Sequence, residues 1–322
     1  MRVEMHGIGK KIIQKVLINK INMENYSFIT VSGDTLKGHC WKIDDAKANL
    51  IIVTGMEEHS ARYDDFAVFF NKNGFNVFCV DHYGQGENVD DLAKQGIVPS
   101  SFFSRSVKNI DDIVKLVKKN KLPTYIFAHS MGSFMIQDYI QRFANHVDKV
   151  VICGSNGPNA KMLFKLGFKL AKIIVKDKNR ELKATTLEKL AIGSYAKSIK
   201  NRKTNCDWLS YNEDNVRHYI DDPKCGGGSS NGFYYEFLKG NARLFKKKFL
   251  KKISPNIKLF VVAGKDDPVG AFGKGPKKLY DMYKKLGVKD VELKIYEHMR
   301  HEIINEVNKS QVYSDILKFY LN

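Results

Sequence analysis

No stretch of the 322 residues approaches the run of about eighteen apolar positions that a membrane-crossing helix needs. Cysteine is scarce: Cys40, Cys79, Cys153, Cys206 and Cys225 are odd in number and widely spaced, with no CxxC pair. That pattern carries neither a disulfide framework nor a metal or redox signature, and it reads as free thiols in a reducing compartment. No internal repeat recurs at periods of roughly 20–50 residues, which excludes solenoids and propellers. Neither a GxxxxGK phosphate loop nor a paired-histidine metal motif occurs. Acidic residues are in deficit, since 35 Asp+Glu against 53 Lys+Arg leave a net charge of +18. Such a field favours acidic partners such as anionic membranes, nucleic acid or phosphate-bearing substrates. The lysines are dispersed and accompany no recognition motif, which argues against nucleic acid.

What is present describes an ordinary globular chain, with 43% hydrophobic and 27% charged residues. The length suits one α/β domain with an insertion. Residues 1–22 form a basic amphipathic extension, in which Ile8, Ile12, Val16, Leu17 and Ile21 recur at near-helical spacing among Lys10, Lys11, Lys15 and Lys20. Gln14 and Lys15 interrupt any signal-peptide core, and no small-residue cleavage site follows. The expected location is therefore cytoplasmic. The extension is read first as a helix packed on the body with solvated lysines, because Ile18 and Asn19 blur its apolar face. The alternative is a peripheral contact with an anionic membrane.

Tyr26 to Val31 and Leu36 to Trp41 flank Ser32-Gly33-Asp34, a hairpin signal. Short apolar runs follow at Leu50–Val53, Phe75–Val80, Tyr125–Phe127, Val150–Cys153, Leu259–Val262 and Val291–Tyr296, with helical patterns between several of them. The alternation predicts a mostly parallel, doubly wound α/β sheet opened by an antiparallel hairpin. The core occupies 23–153 and 257–322. Between them, 154–256 reads as an inserted helical cap with an aromatic cluster at Tyr211, Tyr219, Phe233, Tyr234, Tyr235 and Phe237. Within it, Gly226 to Ser230 is either a surface loop or a lid hinge.

The sharpest signal is Tyr125 to Ser133, a strand running into Ser130 and then into a helix, with small residues two before and two after the serine. A nucleophile elbow needs this arrangement, because the turn must be tight enough to hold the hydroxyl above the sheet. Ala128 stands where the first glycine is usual. A serine needs a base, and the base needs an orienting acid. Downstream, Asp266 and Asp267 follow one strand, while His298 and His301 follow the next, in the order Ser, Asp, His. Asp267 is favoured because it directly precedes Pro268, and His301 begins the next helical stretch. The oxyanion hole would be formed by the N–H groups of Met131 and Met56, the latter following Gly55 in the loop after the third strand. Asp81 to Gly86 reads as a turn supporting the elbow.

Together these stretches resemble the monoacylglycerol lipase and lysophospholipase-like branch of the α/β-hydrolase superfamily over Met23 to Tyr320. The resemblance is carried by Gly55 with Glu58-His59-Ser60 and Arg62-Tyr63, by His129-Ser130-Met131-Gly132, by Gly264 with Asp267-Pro268-Val269-Gly270, and by Arg300-His301-Glu302 through Glu306. It implies Asp267 over Asp266 and His301 over His298. Thr54, Tyr83 and Gln85 depart from it, replacing a histidine, an arginine and a histidine whose side chains would support the oxyanion loop and elbow.

The function expected is ester hydrolysis on a lipid-like substrate, a monoacylglycerol or lysophospholipid, through an acyl-enzyme on Ser130, His301 and Asp267, with no metal or organic cofactor required. Two alternatives are a proline iminopeptidase-like peptidase, disfavoured by the lysine-rich cap, and a non-catalytic membrane-binding homologue.

Overall fold

The computed structural model describes residues 23–322. The reading of 1–22 as an amphipathic extension lies outside the described residues. Eight strands form one sheet: β1 (Glu24–Ile29), β2 (Thr35–Trp41), β3 (Ala48–Val53), β4 (Phe75–Val80), β5 (Thr124–His129), β6 (Lys149–Cys153), β7 (Lys258–Gly264) and β8 (Asp290–Tyr296). Their order is β1-β2-β4-β3-β5-β6-β7-β8. β2 pairs antiparallel with both β1 and β4, and every later pairing is parallel. The hairpin and the parallel body expected from the sequence are both present. β1 stops at Ile29, two residues earlier than its apolar run, because Thr30 already pairs with Asp34 to close the turn.

Alternation within the strands explains the layers. Ile51, Val53, Ile126, Ala128, Val150, Ile152, Leu259 and Val261 enter one core. Their neighbours Leu50, Ile52, Phe127, Val151, Cys153, Phe260 and Val262 enter the other. Successive side chains of a strand point to opposite faces, so central strands buried on both sides must be apolar throughout. The first face is covered by α2 (Phe102–Val117), α3 (Met131–Phe143) and α9 (Lys274–Lys285). The second carries α1 (Asp64–Lys72) and α10 (Lys309–Leu321), whose Tyr320 stacks on Tyr125 at 4.9 Å and donates a hydrogen bond to the Ile126 carbonyl.

Between β6 and β7 lie α4 (Lys161–Ile174), α5 (Thr185–Ser198), α6 (Glu213–Asp221), α7 (Asn231–Leu244) and the short α8 (Lys247–Leu250). α4 packs on α7 through Phe168 against Tyr235, with ring centroids 5.4 Å apart. One expectation is corrected here: His301 does not begin a helix. Residues 301–308 are turns, and α10 starts at Lys309. The Glu306 carboxylate explains the irregularity, since it accepts from the Arg300 N–H and from the Tyr211 N–H and Ser210 hydroxyl of the inserted segment. Among the described residues no helix is long and apolar enough to cross a membrane.

Candidate active site

The loops that leave β3, β4, β5, β7 and β8 at their carboxyl ends converge on one edge, where open parallel sheets keep their sites. At the end of β5, Ser130 holds φ 50° and ψ −117°, a strained conformation for a residue with a Cβ, and α3 begins at the next residue. The turn is pinned on both sides. The Ser130 N–H donates to the Cys153 carbonyl at 3.0 Å and the Gly132 N–H to the Thr54 carbonyl at 3.1 Å. A Cβ on Gly132 would fall 2.4 Å from the Val53 carbonyl oxygen, so the second small residue of the motif is demanded by close approach to β3. Ala128 is fully buried in the core and serves where a glycine is usual.

Asp267 is fully buried and accepts the Val269 N–H at 2.8 Å on one oxygen. Its other oxygen lies 3.0 Å from His301 Nδ1. An ionised carboxylate only accepts, so that bond places the proton on Nδ1 and leaves Nε2 as the basic nitrogen. Nε2 is buried and has no hydrogen-bond partner among the described residues. His301 and Ser130 line the same cavity, and no hydrogen bond joins them in this conformation. The imidazole is held between the rings of Trp208 and His129, at centroid distances of 5.1 and 4.7 Å. Gly154, at φ 59°, is required beside it, since a Cβ there would stand 3.0 Å from His301 Cε1. The rival candidates sit elsewhere: Asp266 accepts from the Tyr211 hydroxyl at 3.0 Å, and His298 is exposed.

Met56 and Met131 also line this cavity, and neither N–H has an acceptor among the described residues. The loop that carries Met56 is braced by residues that sequence reasoning left without a role. Glu58 accepts from the Gly55 N–H, the Tyr63 hydroxyl and Arg62, and meets His129 Nδ1 at 3.1 Å. Burial alone would raise this carboxyl, but His129 and Arg62 outweigh it and hold Glu58 well below the usual carboxylate range. Arg62 grips Glu302 with both guanidinium nitrogens, at 2.8 and 2.7 Å. The only signal for this network was that all its members fell within the quoted stretches. Trp208 stood out in the sequence only within Asp207-Trp208-Leu209-Ser210, a stretch of the inserted segment that also resembles the family, and nothing there gave it a role.

The three departures behave differently from one another. Gln85 takes up the support of the loop that carries Met56: its amide donates to the Gly55 and Glu58 carbonyls at 3.0 and 3.2 Å and accepts the Glu57 N–H at 3.1 Å. Tyr83 instead donates to Asp34 at 2.7 Å and lies under Arg105, tying the β4 loop to the hairpin. Thr54 is buried with its hydroxyl unpartnered among the described residues, its carbonyl serving Gly132. Gln85→Ala is therefore expected to lower kcat by roughly 10- to 100-fold, since a displacement of about 1 Å at such a loop has that effect. Steady-state kinetics on a p-nitrophenyl ester check it; an unchanged kcat would mean that the loop holds its shape without the amide.

His82, on the same turn, contacts the Thr54 carbonyl at 3.3 Å and packs edge-on to Phe102. Burial lowers its pKa to about 4, against smaller opposing effects of that carbonyl and of Glu58. The unfolded chain takes up this proton near pH 6.5 and the folded chain does not. Stability is thus complete above pH 6.5 and declines as the pH falls toward 4, by up to about 3 kcal/mol. Urea denaturation at pH 7 and pH 4.5 should show a shallower loss in His82→Gln than in the parent; an identical loss would show that His82 is not responsible.

A mostly parallel sheet covered on both faces, with a strained serine turn at its carboxyl edge and a histidine–aspartate pair from the last two strand loops, defines an α/β-hydrolase. The chain belongs to the serine aminopeptidase, S33 family, whose pattern matches residues 44–308. A monoacylglycerol lipase of Mycolicibacterium smegmatis is 23% identical over 92% of this chain and 96% of its own length. The human monoglyceride lipase is 26% identical over 88% of this chain and 86% of its own. Among solved structures, a thermostable carboxyl esterase from Bacillus coagulans in complex with glycerol matches with a TM-score of 0.82 and 27% identity, covering 93% of this chain and 98% of that one.

Proposed function

We propose that this lipase- and esterase-type hydrolase cleaves carboxylic esters with a long acyl chain, a monoacylglycerol or a lysophospholipid, through an acyl-enzyme on Ser130. The observation that carries the reading is the cavity shared by Ser130 and His301, about 220 Å³, whose far walls are Leu163, Phe164, Leu187, Phe237 and Leu238 of α4, α5 and α7. Apolar walls of this kind favour an acyl chain. The carboxylates at its polar end, Glu58 and Glu302, are committed to Arg62 and so are not free to hold a peptide's amine.

The Ser130 hydroxyl oxygen attacks the ester carbonyl while its proton passes to His301 Nε2. Asp267 keeps the imidazole in the required tautomer and stabilises the imidazolium. The Met56 and Met131 N–H groups receive the oxyanion, an interaction whose loss typically costs about 3–4 kcal/mol per donor. Collapse expels the alcohol, which takes the proton from His301, and water attacking the acyl-enzyme by the reverse route releases the acid and restores the serine.

The helices of the inserted segment act as the cap, and α4 supplies the approach. Its Met162, Leu163, Leu166 and Ile173 are more than half exposed and alternate with Lys161, Lys165, Lys169 and Lys172. Leu163 also lines the cavity, so the exposed face leads into it. An apolar stripe edged by lysines suits the surface of an anionic bilayer. Hydrolysis of p-nitrophenyl esters from acetate to palmitate should peak at medium to long chains; a maximum at acetate would replace lipid hydrolysis by small-ester hydrolysis. In flotation with vesicles containing phosphatidylglycerol, Met162→Glu with Ile173→Glu should lower the bound fraction several-fold, and undiminished binding would remove α4 from the contact.

A further inference from the structure

A second cluster of chemically active side chains lies outside the hydrolytic cavity, at the junction of the oxyanion loop and the cap. A ring nitrogen of His59, a carboxylate oxygen of Asp222 and the Cys225 sulfur all lie within 4.8 Å of one another. His59 and Cys225 are each 7% exposed. His59 Nε2 meets Asp222 at 2.7 Å, whereas its Nδ1 is buried with no partner among the described residues. From these residues we propose a zinc-binding site that fastens the segment after α6 to the loop after β3.

The donor set is one imidazole, one carboxylate and one thiolate, all common ligands of zinc, and the part-exposed Asp222 leaves a fourth position open to water. Bonds of about 2.0–2.3 Å place tetrahedral ligand atoms about 3.5 Å apart, so the cluster must contract by roughly 1 Å at its widest. The Cys225 N–H is bonded to the Asp222 carbonyl and the Gly226 N–H to the Glu57 carbonyl, so the contraction falls on the side chains of Cys225 and Asp222 rather than on the backbone. The neighbouring cations do not oppose the ion: Arg62 is neutralised by Glu58 and Glu302, and Lys224 by Glu87. On binding, the Cys225 thiol releases its proton to solvent, and neutral His59 ligates through its unprotonated ring nitrogen while its single proton stays on the other; no electron is transferred. No spacing motif announces the site, since its members stand at 59, 222 and 225. The proposal is independent of the ester reaction.

The test uses the full-length protein and metal salts alone. Titration with cobalt(II) should produce a thiolate-to-cobalt charge-transfer absorption in the wild type, absent in Cys225→Ser and retained in Cys206→Ser. Calorimetry with zinc chloride should find one ion per chain, with affinity weakened more than about 100-fold in Cys225→Ser and in Asp222→Asn, beyond the loss usual for an outer partner of a ligand. Thermal melts without metal establish that both variants are folded; should Cys225→Ser unfold, Asp222→Asn carries the comparison. No stoichiometric binding by the wild type, or zinc bound equally by Asp222→Asn, would overturn the site whatever the protein hydrolyses.

Discussion

Ser130→Ala is expected to lower hydrolysis of a p-nitrophenyl ester by about 10⁴-fold or more and to abolish labelling by a fluorophosphonate, with the thermal midpoint unchanged. The size follows from the role: without the hydroxyl there is no acyl-enzyme, and only the oxyanion donors and substrate binding remain. The unchanged midpoint follows from the backbone. Alanine keeps the Cβ, so the strain at φ 50° and the bonds of Ser130 N–H to Cys153 and of Gly132 N–H to Thr54 persist. Residual activity within tenfold of wild type would place the nucleophile elsewhere and end the proposed mechanism.

Asp267→Asn should lower kcat by about 10⁴-fold while KM changes little. An amide at this position presents either a donor or an acceptor to His301 Nδ1. With one face already accepting the Val269 N–H, the oxygen stays there and the NH₂ turns toward the imidazole. The ring must then carry its proton on Nε2, which can no longer take one from Ser130. Because Asn has nearly the same volume and Asp267 is completely buried, the fold should survive, and circular dichroism with a thermal melt checks that it does. The corresponding Asp266→Asn change should leave kcat within about twofold, because among the described residues that carboxylate meets only the Tyr211 hydroxyl. Equal losses in both variants would contradict the assignment of the acid to Asp267.

The strands were legible for a physical reason. β3 and β6 are buried along their whole length, so beyond Asn49 and Lys149 near their starts they are apolar runs, Leu50–Val53 and Val150–Cys153. Ser130 was legible because a tight strand-to-helix turn needs small neighbours, and that need is written locally at Gly132. The inserted helices were legible only as Lys-rich helical segments with an aromatic cluster. Leu163 and Leu166 of α4 face solvent and cavity rather than the main core, so their periodicity does not report a buried face. Gln85 stood out in the sequence only as a departure from the usual histidine, and that its amide reaches two carbonyls and one N–H of the Met56 loop is a contact that side-chain type alone does not report. The ion pair of Arg62 with Glu302 joins residues 240 apart, a distance over which no periodicity or spacing informs.

By itself the sequence determined the α/β alternation, the hairpin that opens it, the serine turn and the two downstream loops able to supply an acid and a base, because each depends on hydrophobic period or turn chemistry within a few residues. Only the tertiary structure decided that Trp208 and His129 enclose the imidazole, that Arg62 ties the Met56 loop to the histidine loop, and that His59 lies beside Cys225. Those outcomes rest on which side chains the parallel register of β3, β5, β7 and β8 and the folding-back of α4 to α7 bring within a few ångströms, and contact between distant segments is a property of packing that local pattern does not encode.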